Sequence, residues 1–328
     1  MTTIQQAQQH SETMAQTIGV LIPTYKRSDD LIRCLEALKL QERPADDILL
    51  IVRVDDVRTH AALEAFDAGS LPLRVEMTDI AGTVYAHNLG IEKTTTDVLA
   101  MIDDDTEPQP QWLRVILQDF QADAALGGLG GRDRCFDGTS FDDHKAELVG
   151  RLQWFGRTIG NHHLGFGAIR EVDILKGANM SFRRAALNHS RCDVRLRGKG
   201  AQPNEDVSLA LAVKRNGWKV AYDPNALVHH FQGPREEVRH YGVQGPVTQP
   251  RAYEDFAYNE VIGIWDYLTP FRKVAFVAWS VLVGTRSCPG LVQAFRLTPR
   301  LGGQSWYRFA LAQKSKFRAL RDLVFGLV

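Results

Sequence analysis

Three carboxylates in a row, Asp103, Asp104 and Asp105, follow directly on a five-residue apolar run, VLAMI at 98–102. That run has the length and composition of a buried strand. Pro110 then opens a helical repeat of Trp112, Leu113, Ile116, Leu117 and Phe120. Acids at the carboxyl end of a buried strand stand where open α/β sheets bind ligands. Clustered hard oxygens there suit a divalent cation, Mg²⁺ or Mn²⁺, bridging to a diphosphate. A solvated acidic turn would look the same in isolation, so other residues must decide between the two.

Three further groups bear on that choice. Asp55 and Asp56 end a second apolar run, ILLIVRV at 48–54. Glu205 and Asp206 follow Asn204, a residue suited to an N-cap, so both fall in the first turn of a helix, where the helix dipole favours acids whether or not they react. His229 and His230 close a short strand pattern, NALVHHF. Alternation sends the two rings to opposite faces, so only one of them can reach a metal. His162 and His163 have no acidic partner nearby in sequence and read as loop residues.

The elements that must position these groups alternate in type. Strands are predicted at 18–23, 48–54, 73–77 and 98–102. Helices are predicted from Ser28, offered as an N-cap, through Leu31, Leu35 and Leu38, and then at 59–66 and 83–92. Such alternation argues for βαβ units and a mainly parallel sheet. The polar strand ends at 24–27, 55–56 and 103–105 would then meet at one edge. The glycine-rich stretch 127–167 is predicted to be irregular, either a functional loop or disordered. Strand alternation returns at 171–175 and runs into Gly177, where a missing Cβ permits a close approach of backbone to ligand or simply a tight turn.

Composition bounds the class. A chain of 328 residues, 44% hydrophobic and 24% charged, can form one large domain with an appendage, and its net charge of zero argues against nucleic acid as a partner. The charge is unevenly spread. Residues 268–328 carry ten Lys and Arg against one acid, Asp322, a balance of +9, which leaves −9 on residues 1–267. Four well-separated cysteines without a CxxC spacing fit neither a zinc site nor a disulfide framework and point to a reducing cytoplasm. Residues 1–16 are polar and read as a flexible leader. No run reaches the roughly 20 apolar residues of a membrane-spanning helix.

IPTYKRSDDLIRCLEAL, VDD, and AGTVYAHNLGIEKTTTDVLAMIDDD, followed by VDILKGANMSFRRAAL and NEDVSLALAVKRNGWKVAYDPNALVHH, resemble in this order the motifs of family 2 glycosyltransferases. The resemblance runs from about residue 18 to 230. It implies a GT-A fold, a Rossmann-like nucleotide-binding half at 17–106 and an acceptor-binding half at 107–267, with 268–328 as a basic helical extension. It implies an inverting transfer from a nucleotide-diphosphate sugar to a carbohydrate or lipid-linked acceptor, in cell-surface polysaccharide biosynthesis.

Residue by residue, the resemblance places Pro23, Thr24, Tyr25 and Arg27 in the nucleotide pocket and Asp55 or Asp56 at the base. Asp103 falls near the ribose, with Asp104 in the variable position and Asp105 on Mn²⁺ or Mg²⁺. Asn88 matches a motif position, while His87 stands where an Arg is common. Gly177 and Asn179 would line the sugar pocket. Asp206, beside Glu205, becomes the general base, and a histidine six residues after Pro224, His230, completes the metal site, with His229 as the alternative.

The tail is read separately. Phe317, Leu320, Val324 and Leu327 share one helical face, with Lys314, Arg318 and Arg321 opposite. This suits either an interfacial helix on the anionic inner face of the cytoplasmic membrane or a helical subdomain packed on the core. Two other classes compete for the whole chain. A nucleotidyltransferase of similar fold would want glycines in the first loop, which IPTYKRSDD lacks, and a non-catalytic carbohydrate-binding protein would tolerate loss of a site acid.

Overall fold

The computed structural model describes residues 16–233 and 246–328, so the leader expected at 1–16 lies, except for its last position, outside the described residues. Strands β1 (Ile18–Thr24), β2 (Asp47–Arg53), β3 (Leu73–Thr78) and β4 (Val98–Ile102) are linked through helices α1 (Ser28–Lys39), α2 (Val57–Ala65) and α3 (Thr83–Lys93). They pair in parallel in the order β3-β2-β1-β4. This is the alternation read from the sequence, and its apolar runs are continuous because both sheet faces are covered. Helix α1 does not use Ser28 as a cap. The helix begins at Ser28, Arg27 takes the cap position, and no side chain caps it.

The second half completes the sheet. After β5 (Thr106–Pro108) and α4 (Trp112–Ala122) come β6 (Leu126–Cys135), the short hairpin β7 (Arg151–Leu152) and β8 (Thr158–Ile159), then β9 (Arg170–Glu171), β10 (Asn179–Arg183), α5 (Arg184–Leu187), α6 (Glu205–Arg215) and β11 (Lys219–His230). The full order is β3-β2-β1-β4-β10-β6-β11-β5, with β10 antiparallel to both β4 and β6 and β5 antiparallel to β11. On one side of the sheet lie Leu31, Leu35, Leu113 and Phe120 of α1 and α4; on the other lie Val84, Ile91, Leu209 and Val213 of α3 and α6.

The glycine-rich stretch corrects the expectation of irregular structure. Residues 126–135 form a ten-residue strand in the interior of the sheet. The glycines answer crowding. A Cβ on Gly127 would run into Trp218, and one on Gly131 into the Ala226 carbonyl and the Asn179 amide. Steric need therefore replaced the β-branched residues by which a buried strand is recognised. Two other strands differ from expectation: 171–175 contributes only Arg170–Glu171, and the strand ending in the histidine pair is twelve residues long.

Helices α7 (Pro250–Trp265), α8 (Pro270–Leu282), α9 (Leu291–Leu301) and α10 (Gly303–Val324) close the described chain. Val261, Ile262 and Ile264 of α7 join the core shared with α6, while Tyr253, Phe256 and Ala257 pack with Cys288 and with Ala312 of α10. All four cysteines are buried and free. Among the described residues no helix is long and apolar enough to cross a membrane.

Candidate active site

Strand register delivers the site. In the β5–β11 pairing His230 lies opposite Thr106, the residue after the three aspartates, so two segments over a hundred positions apart meet at one sheet edge. Asp103, Asp105 and His230 each offer a ligand atom, and these atoms lie within 4.8 Å of one another. His230 Nε2 is 3.3 Å from Asp105 Oδ1. His229 takes the other face: its ring packs tilted against Phe141 with centroids 4.3 Å apart, and its Nδ1 lies 3.3 Å from the Gln109 amide. Of the two histidines, His230 is the one that reaches the acids.

Two carboxylate oxygens with one imidazole nitrogen form a donor set that fits Mn²⁺ or Mg²⁺. Burial disfavours a charged imidazole, but the carboxylates of Asp105 and Asp133 outweigh it and raise His230 well above its ordinary range. A cation arriving there displaces a proton, since only neutral imidazole ligates.

Asp133 escaped the sequence reading. It lies inside β6 with no exposed surface, and its Oδ2 sits 3.2 Å from His230 Nδ1. The same oxygen accepts the Lys176 ammonium. Burial alone would raise this carboxyl, yet Lys176 and His230 hold it well below the usual range. A carboxylate on the far nitrogen fixes the tautomer and direction of a ligating histidine. The only hint in the sequence was an acid within an otherwise glycine-rich run.

The first loop binds the acids from the other side. Arg27 reaches both Asp104, at 2.6 Å, and Asp105, at 2.9 Å, and both carboxylates are wholly buried. Burial works against the guanidinium, and Asp104 and Asp105 overcome it, raising its pKa. Thr24 is buried at the end of β1, one residue after Pro23, which pairs with Ile51. Tyr25 and Asp55 face each other across the ends of β1 and β2, with the Arg53 guanidinium 5.5 Å from the tyrosine ring. Asp56 instead turns inward. It accepts the Lys26 amide at 2.5 Å and the Thr59 hydroxyl at 2.7 Å, and caps α2.

Helix α6 opens with Glu205 and Asp206. Asn204 takes the cap position in a left-handed conformation, φ 72°, without a side-chain cap bond. Asp206 Oδ2 accepts the Gly177 amide at 2.9 Å and Oδ1 accepts the Val207 amide at 2.7 Å. Burial raises the Asp206 carboxyl, and those amides oppose the shift without cancelling it. Glu205 Oε1 lies 3.8 Å from His87 Nδ1, and burial lowers His87 to about 4.

Two residues expected to touch the nucleotide sugar are engaged with the fold. Asn88 exchanges two hydrogen bonds with the backbone of Cys192, at 3.0 and 2.9 Å. Asn179 donates to the Ala226 and Arg132 carbonyls and accepts the Trp112 indole at 3.0 Å, so it ties β10 to β6, β11 and α4. His162 is buried, with Nε2 3.0 Å from the Ile174 carbonyl, and stands apart from the metal-type donor set.

Comparison with known proteins places this arrangement. The chain is 28% identical over 225 residues, 65% of its length and 68% of the relative's, to a glucosyl-dolichyl phosphate glucuronosyltransferase of Haloferax volcanii. Among solved structures it resembles a mannosyltransferase from Pyrobaculum calidifontis in complex with GDP-Man and Mn²⁺. That match has a TM-score of 0.53 and 13% identity, over 96% of this chain and 88% of the other. It also resembles S. aureus TarS 1-349, with a TM-score of 0.55 and 12% identity, over 95% and 92% of the two chains. The fold is that of the GT-A glycosyltransferases, a mixed α/β architecture with a mostly parallel central sheet. Residues 15–241 match the profile described as glycosyltransferase like family 2, and the chain is a glycosyltransferase of that family.

Proposed function

We propose that the protein is an inverting, metal-dependent enzyme that moves a sugar from a nucleotide diphosphate to a hydroxyl of a carbohydrate or lipid-linked acceptor, in cell-surface polysaccharide assembly. One observation carries the reading. The loop that holds Asp206 through the Gly177 amide also grips Asp133 through Lys176, and Asp133 in turn holds His230 beside Asp105. A carboxylate base and a cation-type donor set are thereby braced against one segment.

The chemistry follows from those positions. Asp206 accepts the acceptor's hydroxyl proton as the new oxygen–C1 bond forms and the bond from C1 to the diphosphate breaks. Its raised pKa suits that task. Attack opposite the leaving group inverts C1, and no covalent intermediate on the protein is required. A bound Mn²⁺ or Mg²⁺, held by Asp103, Asp105 and His230, would neutralise charge developing on the diphosphate. Arg27 pairs with Asp104 and Asp105 and holds both in place. Tyr25 and Asp55 are the groups offered to the base. The lipid-linked form of acceptor is supported by the likeness to the Haloferax glucosyl-dolichyl phosphate glucuronosyltransferase.

Asp206→Asn tests the base. With donor, cognate acceptor and Mn²⁺, kcat should fall about 10²- to 10⁴-fold while donor binding persists. Full turnover in the variant would refute the assignment.

A further inference from the structure

Helix α10 buries a mixed side. Ala312 and Ala319 lie there with Arg308, Gln313, Ser315, Lys316 and Asp322, and Leu320 packs half-buried against the core, whereas Phe317 and Val324, and Leu327 just beyond the helix, face solvent. The polar interior is paired. Lys316 meets Glu260 of α7 at 2.8 Å, Asp322 meets Arg197 at 3.0 Å, and the Gln313 amide reaches the Ser280 and Pro289 carbonyls at 3.1 Å. The fold thus fixes α10 with Leu320 against the core and with Phe317 and Val324 outward.

The neighbouring helix continues that surface. Phe271, Val274, Ala278 and Leu282 of α8 recur at spacings of three and four and are all exposed. Val277 and Val281 of α8 share a groove with Phe317 and Leu320 of α10, so the two apolar faces join along it. Val274 is 69% exposed, Phe317 54% and Val324 75%, the burial expected of polar residues. Beside the stripe, on the same exposed half of α10, run Lys314, Arg318 and Arg321. The structure therefore revises the sequence expectation of opposite faces: the basic and apolar stripes lie side by side, with the third side of the helix in the bundle.

We propose that the joined outer faces of α8 and α10 dock on an anionic lipid bilayer. Charge complementarity selects this occupant. Of the ten cations in residues 268–328, Arg308 and Lys316 are buried, while Arg286, Arg296, Arg300, Lys314, Arg318 and Arg321 are exposed, Lys314 beside Glu254 and Arg321 beside Asp322. An apolar strip bordered by cations inserts its hydrocarbon among acyl chains while the cations meet lipid phosphates. With no helix able to span the bilayer among the described residues, attachment is peripheral and reversible. The surface stands on its own packing, and only its purpose, bringing the site to a lipid-linked acceptor, rests on the proposed function.

The test is flotation of the full chain with vesicles of phosphatidylcholine, alone or mixed with phosphatidylglycerol, without donor or acceptor. The wild type should partition onto the mixed vesicles about tenfold or more over the neutral ones, and added salt should reduce this. Val274→Asp with Phe317→Glu should remove about tenfold or more of that binding, with an unchanged thermal melt and unchanged turnover of a soluble acceptor. Both sites are exposed and outside the active site. Lys314→Gln with Arg321→Gln should remove chiefly the preference for anionic lipid. Equal vesicle binding by wild type and the Val274/Phe317 variant would overturn the proposal. So would a wild type that ignores vesicles and forms a dimer, by light scattering, that these substitutions split, which would make the face an interface between copies. A protein that docks but transfers no sugar would leave this proposal standing and sink the proposed function.

Discussion

Tyr25 donates its phenol to the Asp55 carboxylate at 3.2 Å, tying the loop after the first strand to the loop after the second. Asp56, one residue on, serves the fold: it is 2% exposed, caps α2 through the Thr59 amide and holds the Lys26 amide. The pair, indistinguishable in sequence, should therefore separate in experiment. Asp56→Ala should lower stability by about 1–2 kcal/mol as a lost cap with a buried amide left unmet. Asp55→Asn should leave the melt unchanged and raise the KM for donor. Chemical denaturation and donor titration of both variants check this, and the reverse pattern would exchange the two roles.

Asp133 should act on the metal through His230. Asp133→Asn keeps the volume but removes the charge that fixes the imidazole, so Mn²⁺ affinity, measured by electron paramagnetic resonance, should weaken about 10- to 100-fold. His230→Ala is the reference. If it loses Mn²⁺ and Asp133→Asn does not, the carboxylate has no such role. If His230→Ala binds as wild type does, the donor set itself is misassigned.

The first half of the sheet, β1 to β4, was legible because its signals are local. The apolar run at 98–102 coincides with β4, and the parallel order β2-β1-β4 brings the acids after β2 and β4 to one edge of the sheet. What escaped was set by distant partners. Asp133 gains meaning only when β6 lies beside β11, and β6 itself was hidden by glycines that Trp218 and Ala226 demand. The choice between His229 and His230 needed the register of β5 against β11. Asn88 matched a motif by position, yet its amide bonds the backbone of Cys192, 104 residues away. The apolar stripe of α10 was visible in the sequence, but periodicity cannot say whether such a stripe faces in or out.

Gly177 lies against the first turn of α6, beside Glu205 and Asp206. A Cβ placed on it would lie 2.9 Å from Glu205 Oε1 and 3.8 Å from Asp206 Cβ, so Gly177→Ala must displace the glutamate carboxylate while the backbone amide remains available to Asp206. A shift of this size beside a base costs rate more than stability. The expectation is a loss of about 10- to 100-fold in kcat, with Mn²⁺ affinity and the thermal melt close to wild type. Unchanged kcat would show that the Glu205 position does not matter to Asp206.

Acid should weaken the fold through two buried histidines. Burial lowers His87 and His162 from 6.5 to about 4, so each is neutral in the folded protein. The unfolded chain takes up both protons as pH falls past 6.5, and the folded protein does not until about 4. Their contribution to stability is thus complete above 6.5, declines through that window and is gone below it. At pH 5 each should have cost about 2 kcal/mol relative to pH 7.5. His230 runs the other way, since its raised pKa adds stability that is lost as pH climbs through the folded value, but this term is shared by wild type and a His162 variant and cancels in their difference. Urea midpoints at pH 7.5 and 5 for wild type and His162→Gln isolate one histidine. The glutamine amide can still donate to the Ile174 carbonyl, as His162 Nε2 does at 3.0 Å, so the variant should lose less stability on acidification. Equal losses in the two proteins would mean that His162 is protonated within the fold, with solvent or a neighbouring acid compensating its charge.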